Sequence, residues 1–97
     1  MSIAKPQVSF VVITHNASKQ MVETVRKMQQ EMNTDWHCIL LDNGSTDDTG
    51  ILSRKLVDED SRVRYVYQQK QAIEVAKQNA RDVCLFEEIR FIEIGEH

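Results

Sequence analysis

The chain has 97 residues, 41% hydrophobic and 28% charged, with three glycines and one proline, a composition that excludes fibrous or disordered material and describes one small domain. Fifteen acidic against 12 basic side chains, a formal charge of −3, argue against a nucleic-acid partner, which needs a basic face. No apolar run approaches the roughly 20 residues that span a bilayer, so a transmembrane segment is not expected.

Residues 7–13 read as the first strand, β-branched and almost continuously apolar through Val8, Phe10, Val11, Val12 and Ile13. Pro6 suits its start, where a proline removes no interior ladder donor. The strand ends in a polar turn, Thr14-His15-Asn16. A helix is predicted over residues 17–32, because Met21, Val25, Met28 and Met32, with Val22 beside them, form one apolar stripe that reads as core packing. Gln20, Glu23, Lys27 and Gln30 take its wet side, and Asn33-Thr34-Asp35 reads as a loop.

The second strand is predicted over residues 36–41. Ile39, Leu40 and Leu41 are too continuous for a half-exposed strand and suit one buried on both faces of a parallel sheet. Asp42 and Asn43 then stand at its carboxyl end, where open α/β sheets bind ligands. Gly44 permits a sharp turn, Ser45 or Thr46 is expected to cap the next helix, and Asp47 and Asp48 to occupy its first turn. That helix is predicted over residues 47–58, with Ile51, Leu52 and Leu56 facing inward.

Residues 62–67 alternate polar and apolar, as a strand exposed on one face near a sheet edge does. A third helix is predicted over residues 72–84, with Ala72, Val75, Ala76, Asn79 and Val83 as its inner positions, and a fourth strand over residues 89–94. The alternation of strand and helix, with crossovers of about a dozen residues or more, demands parallel pairing and right-handed connections. The expected product is a three-layer α/β/α sandwich on a parallel sheet of four strands, whose order periodicity alone does not give.

If the first two strands are neighbours, Thr14, His15, Asn16, Asp42 and Asn43 line one crevice. Asp42 and Asn43 can accept hydrogen bonds from a base or ribose, and Thr14 can donate. The same residue types also make ordinary turns and caps, and the two readings stand level. His37 projects from a strand, and no spacing of His, Cys, Asp or Glu resembles a zinc site. Neither Gly-x-Gly-x-x-Gly, nor a P-loop, nor a Gly-x-Ser-x-Gly elbow occurs. Glu87, Glu88 and the run Asp58-Glu59-Asp60 read as solvated faces. Cys38 and Cys84 read as free thiols, and residues 1–6 lack the apolar core of a signal peptide, so the expected compartment is the cytoplasm.

Over residues 7–94 the chain resembles the nucleotide-binding half of family-2 glycosyltransferases, inverting enzymes of the GT-A fold. Val8 to Asn16 is similar to the family's opening strand, which typically ends Pro-Thr-Tyr-Asn, with Ile13 in place of the proline. Residues 36–49 resemble its Val-Asp-Asp-Gly-Ser-Thr-Asp-x-Thr segment, with Asn43 where many relatives have a second Asp. Residues 62–66 resemble its third strand. Ala76-Lys77-Gln78-Asn79-Ala80 resembles the helix that usually reads Ala-Ala-Arg-Asn, without the family's following glycine.

The resemblance implies a Rossmann-like sheet of order 3-2-1-4 and a crevice for a nucleotide diphosphate sugar, a UDP-sugar or similar. It puts Thr14, His15 and Asn16 beside the base or ribose, and Asp42 and Asn43 against the nucleoside. The family holds Mg2+ or Mn2+ with an Asp-x-Asp after the fourth strand. The corresponding stretch here is residues 91–97, where Glu93 is the candidate ligand and Glu96 a second acid. The acceptor-binding half would lie beyond residue 97, so this chain alone is expected to be inactive in transfer. The alternative is a non-catalytic α/β interaction module whose uncovered fourth strand pairs in a homodimer. A receiver-like domain fits less well, since it needs a lysine at a later strand end.

Overall fold

A computed structural model of the chain describes residues 7–32 and 35–96. Along them run β1 (Gln7–His15), α1 (Ser18–Glu31), β2 (Asp35–Asn43), α2 (Thr49–Glu59), β3 (Val63–Gln68), α3 (Ile73–Arg81) and β4 (Ile89–Gly95). The expectations for Pro6 and for a loop at Asn33 and Thr34 lie outside the described residues; Asp35 already belongs to β2.

The strands form one parallel sheet in the order β3-β2-β1-β4. Thr14 pairs with Asp42, His15 with Gly95 and Asn43 with Gln68, so the carboxyl ends of all four strands meet at one rim. β1 and β2 are central and buried on both faces, which is why their apolar runs are continuous. β3 and β4 are the edges, and their burial is correspondingly broken.

Alternation sends successive side chains to opposite faces. Val8, Phe10, Val12, Trp36, Cys38 and Leu40 meet Met21, Val25 and Met28 of α1 and Leu56 of α2. Val11, Ile13, Ile39 and Leu41 meet Ala76 and Ala80 of α3. The result is the expected three-layer α/β/α sandwich.

Several helix details differ from expectation. Ile51 is 65% exposed, and α2 turns Leu52, Ser53 and Leu56 inward; the Ser53 hydroxyl donates to Met21 Sδ at 3.2 Å. The helix begins at Thr49, so Asp47 and Asp48 precede its first turn. Neither Ser45 nor Thr46 caps it; Asp47 Oδ1 instead accepts from Thr49 N at 3.0 Å. In α3 the inner line is Ile73, Ala76, Ala80 and, just beyond its end, Cys84, while Ala72, Val75, Asn79 and Val83 are exposed. Small side chains let that helix lie close to the sheet, and a reading weighted by hydrophobicity favours the valines instead. Met32, just past the end of α1, is 38% exposed. Asp60 is not a freely solvated acid. It takes Arg62 Nε at 2.9 Å and Nη2 at 2.7 Å, and Gln29 Nε2 at 3.0 Å, which hold its carboxyl well below the usual carboxylate range.

Candidate ligand cleft at the carboxyl end of the sheet

Two polar turns leave the rim from β1 and β2, and Asn16 joins them. Its backbone is left-handed, with φ of +49°, a conformation asparagine tolerates better than most residues. From there Oδ1 accepts from Thr46 N at 2.7 Å and Asp47 N at 3.3 Å, while Asn16 N donates to Ser45 Oγ at 2.9 Å.

Beneath this latch Asp42 is buried with both carboxylate oxygens engaged: Oδ1 accepts from Ser45 N at 2.8 Å and Oδ2 from the Tyr65 hydroxyl at 2.7 Å. Burial, and then the bond to Asp42, pushes the Tyr65 phenol far above its ordinary range, so it stays a donor. Asn43 is also fully buried. Its Oδ1 accepts from Gln71 N at 2.9 Å and Gln68 Nε2 at 3.1 Å, and its Nδ2 donates to Gln71 O at 3.0 Å.

His15 is half-buried, with Nδ1 2.8 Å from the Asn43 carbonyl. A carbonyl only accepts, so Nδ1 carries a proton, and in the neutral ring Nε2 is then the acceptor, 3.4 Å from Asn16 Nδ2. Thr14 is completely buried, and its Oγ1 has no hydrogen-bond partner among the described residues.

Two glycines set the shape of the rim. Gly44 has φ of +81°, and a Cβ there would lie 2.8 Å from Lys70 N. Gly95 has φ of +88°, and a Cβ there would collide with the His15 carbonyl oxygen. This close approach brings the end of β4 against the end of β1. Beside it opens a cleft of about 330 Å³ lined by His15, Asn16, Ala17, Gln20, Lys70, Gly95 and Glu96. In the order β3-β2-β1-β4 the chain proceeds from β1 through β2 to β3 and then crosses to β4 on the other side of β1. The gap between β1 and β4 is therefore the topological switch point, where open α/β sheets take ligands.

The structure thus brings Thr14, His15, Asn16, Asp42 and Asn43 into one cluster. Of these five, only His15 and Asn16 line the cleft, and the other three are buried at the strand ends beside it. Glu93 is not part of the cluster. It projects on the α3 side, 3.4 Å from Lys77 Nζ. Lys70, Gln20, Tyr65 and Gln71 were not legible as site residues. Lys70 and Gln71 sit in a connecting loop without periodicity, and Tyr65 reads as an ordinary strand aromatic.

The donor set does not fit a dedicated divalent-metal site. Glu96 is the one carboxylate lining the cleft, and no group of three or more His, Cys, Asp or Glu able to hold a metal occurs among the described residues. Hard cations take several oxygen ligands.

The family model described as Glycosyl transferase family 2 matches residues 9–82. A chondroitin synthase of Escherichia coli is 32% identical over 79 residues, covering 81% of this chain and 12% of that protein. The glycosyltransferase GlyG of Streptococcus pneumoniae is 34% identical over 62 residues, covering 64% of this chain and 21% of that protein. The match therefore spans only a small part of either relative's length.

Proposed function

Because the chain belongs to glycosyl transferase family 2, we propose that it is a donor-binding unit that takes a nucleotide diphosphate sugar, a UDP-sugar or similar, in the cleft between β1 and β4. The observation that carries this reading is the position of the cleft at the switch point of the sheet, between the ends of the two strands that flank it. His15 and Asn16 offer ring and carboxamide hydrogen bonds to a base or ribose. The Thr14 hydroxyl, without a hydrogen-bond partner among the described residues, lies next to them in sequence. Asp42 serves the site indirectly, by fixing the Ser45 backbone and the Tyr65 hydroxyl.

In a complete enzyme of this kind the sugar passes to an acceptor hydroxyl with inversion. That chemistry needs a base on the acceptor and charge on the departing diphosphate. We expect this chain alone to bind donor without transferring sugar. Its free Cys38 and Cys84 suit a reducing compartment such as the cytoplasm. Among the described residues no helix is long and apolar enough to cross a membrane.

The test is an NMR titration of labelled protein with UDP and then other nucleotides, with and without Mg2+. Saturable shifts at His15 and Asn16 are expected. No shifts at millimolar ligand would overturn the reading.

A second reading, an interaction module, is favoured by the edge position of β4, which presents Ile89, Phe91, Ile92 and Ile94 half-buried. Its occupant would be a second copy. On the neighbouring α1 the pair Lys27 and Glu31 flanks the apolar groove of Phe10, Met28, Met32 and Ile92, and two antiparallel copies would set each charge opposite its complement. Sedimentation showing a dimer that ignores nucleotide would favour this reading, and a monomer at high concentration would remove it.

A further inference from the structure

We infer that Asn43 is a positioning residue rather than a nucleoside contact, that it sets Lys70 over the cleft, and that Lys70 meets the phosphates of the ligand. The inference rests on the nucleotide reading above and deepens it.

Asn43 has 0% exposure, and its carboxamide grips the backbone of one residue at both its polar groups, accepting from Gln71 N and donating to Gln71 O. An amide has both capacities on one side chain; a carboxylate can only accept. The second acceptor site on Oδ1 takes Gln68 Nε2, and Gln68 Oε1 in turn accepts from Asn79 Nδ2 of α3 at 3.1 Å. The loop from β3 to α3 is thus tied to β2 below and to α3 beyond.

Lys70 precedes the gripped residue, and its backbone nitrogen lies 2.8 Å from where a Cβ on Gly44 would stand. Its main chain is therefore held between Gly44 and the Asn43 clamp. Among the described residues Lys70 is the one lysine or arginine lining the cleft, which it shares with His15 and Asn16. None of the salt bridges among the described residues engages it. A lysine ammonium is a compact charge with three donors, well suited to phosphate oxygens. In a cleft without a metal-ligand set it is the positive group that can face a diphosphate.

The experiment compares binding of uridine and UDP to the wild type and to Lys70→Gln, Lys70→Arg and Asn43→Asp, by calorimetry or NMR, with amide exchange of residues 68–71 followed in parallel. Lys70→Gln is expected to weaken UDP binding about fivefold to tenfold, leave uridine nearly unchanged and flatten the salt dependence. Lys70→Arg should recover most of the loss. Asn43→Asp should speed exchange in the loop and weaken UDP more than uridine. Lys70 is exposed, so its variants carry the test even if Asn43→Asp fails to fold.

A Lys70→Gln protein that binds UDP as the wild type does would overturn the inference and leave the nucleotide reading standing. So would an Asn43→Asp protein whose preference among UDP, CDP and GDP changes while loop exchange stays put. A wild type that binds neither UDP nor uridine would overturn the nucleotide reading and this inference with it.

Discussion

The two faces of the sheet are closed by different means. On one, α1 and α2 bring Met21, Val25, Met28 and Leu56 down onto Phe10, Val12, Trp36 and Leu40, so large flexible side chains fill a deep layer. On the other, α3 with Cys84 just beyond its end covers Val11, Ile13, Ile39 and Leu41, and the fully buried residues of α3 are two alanines. The first face is sealed by volume and the second by close approach. Close approach leaves little slack, and the same face carries the Asn43 clamp at its carboxyl end and a buried His37 toward its amino end. The thin layer is where this molecule joins stability to the candidate site.

Four substitutions or conditions would break or sharpen that contrast. Leu40→Ala opens a cavity in the deep layer and should cost about 2–5 kcal/mol of unfolding free energy, read from denaturant midpoints. A loss under about 1 kcal/mol would show that the methionines of α1 collapse into the space.

Ala76→Leu overfills the thin layer and should cost about 1–3 kcal/mol, with faster amide exchange in α3. A neutral effect would mean that α3 is not packed as closely as its alanines indicate.

His37 supplies a pH test of the same face. Burial, reinforced by the Arg64 charge, lowers its pKa from the ordinary 6.5, and its Nδ1 has no partner among the described residues. A lowered histidine pKa makes the neutral ring native. Its contribution is therefore present above about pH 6.5 and lost as pH falls through the lowered folded value. Urea midpoints should drop between pH 7 and pH 5, a window above that of the Asp60–Arg62 pair, whose depressed carboxyl keeps its contribution there and loses it only as pH falls through the ordinary carboxylate range and below. A flat profile between pH 7 and pH 5 would contradict the buried placement of His37.

The smallest effect is expected outside both layers. Arg26→Ala removes the exposed pair with Glu59 at 2.9 Å and should change stability by no more than about 0.5 kcal/mol.

The strand assignments were legible because β1 and β2 carry uninterrupted apolar runs, a pattern that only a sheet covered on both sides explains. α3 was legible as a helix but not in its orientation. Val75 and Val83 outweigh Ala76 and Ala80 in hydrophobicity, yet the shorter side chains face the sheet. At the site, the strand-end residues Thr14 to Asn16 and Asp42 to Gly44 stood out by composition, and they do cluster, although Thr14, His15, Asp42 and Asn43 belong to the strands and not to the turns. Their division into cleft-lining and buried members did not show, because burial at a strand end depends on which loop folds over it. Glu93 was placed by sequence position alone, and the alternation of β4 turns it to Lys77 on the α3 side.

Composition, periodicity and the order of elements by themselves determined a parallel α/β sandwich with polar turns at the ends of its central strands. Local pattern suffices for that, since each strand and helix declares its period within its own residues. The tertiary structure alone decided that the cleft opens between β1 and β4, that Asp42 and Asn43 are buried beside it rather than lining it, and that Lys70 is among its lining residues. Those outcomes depend on contacts such as Asn43 to Gln71, 28 residues apart, which no local window contains.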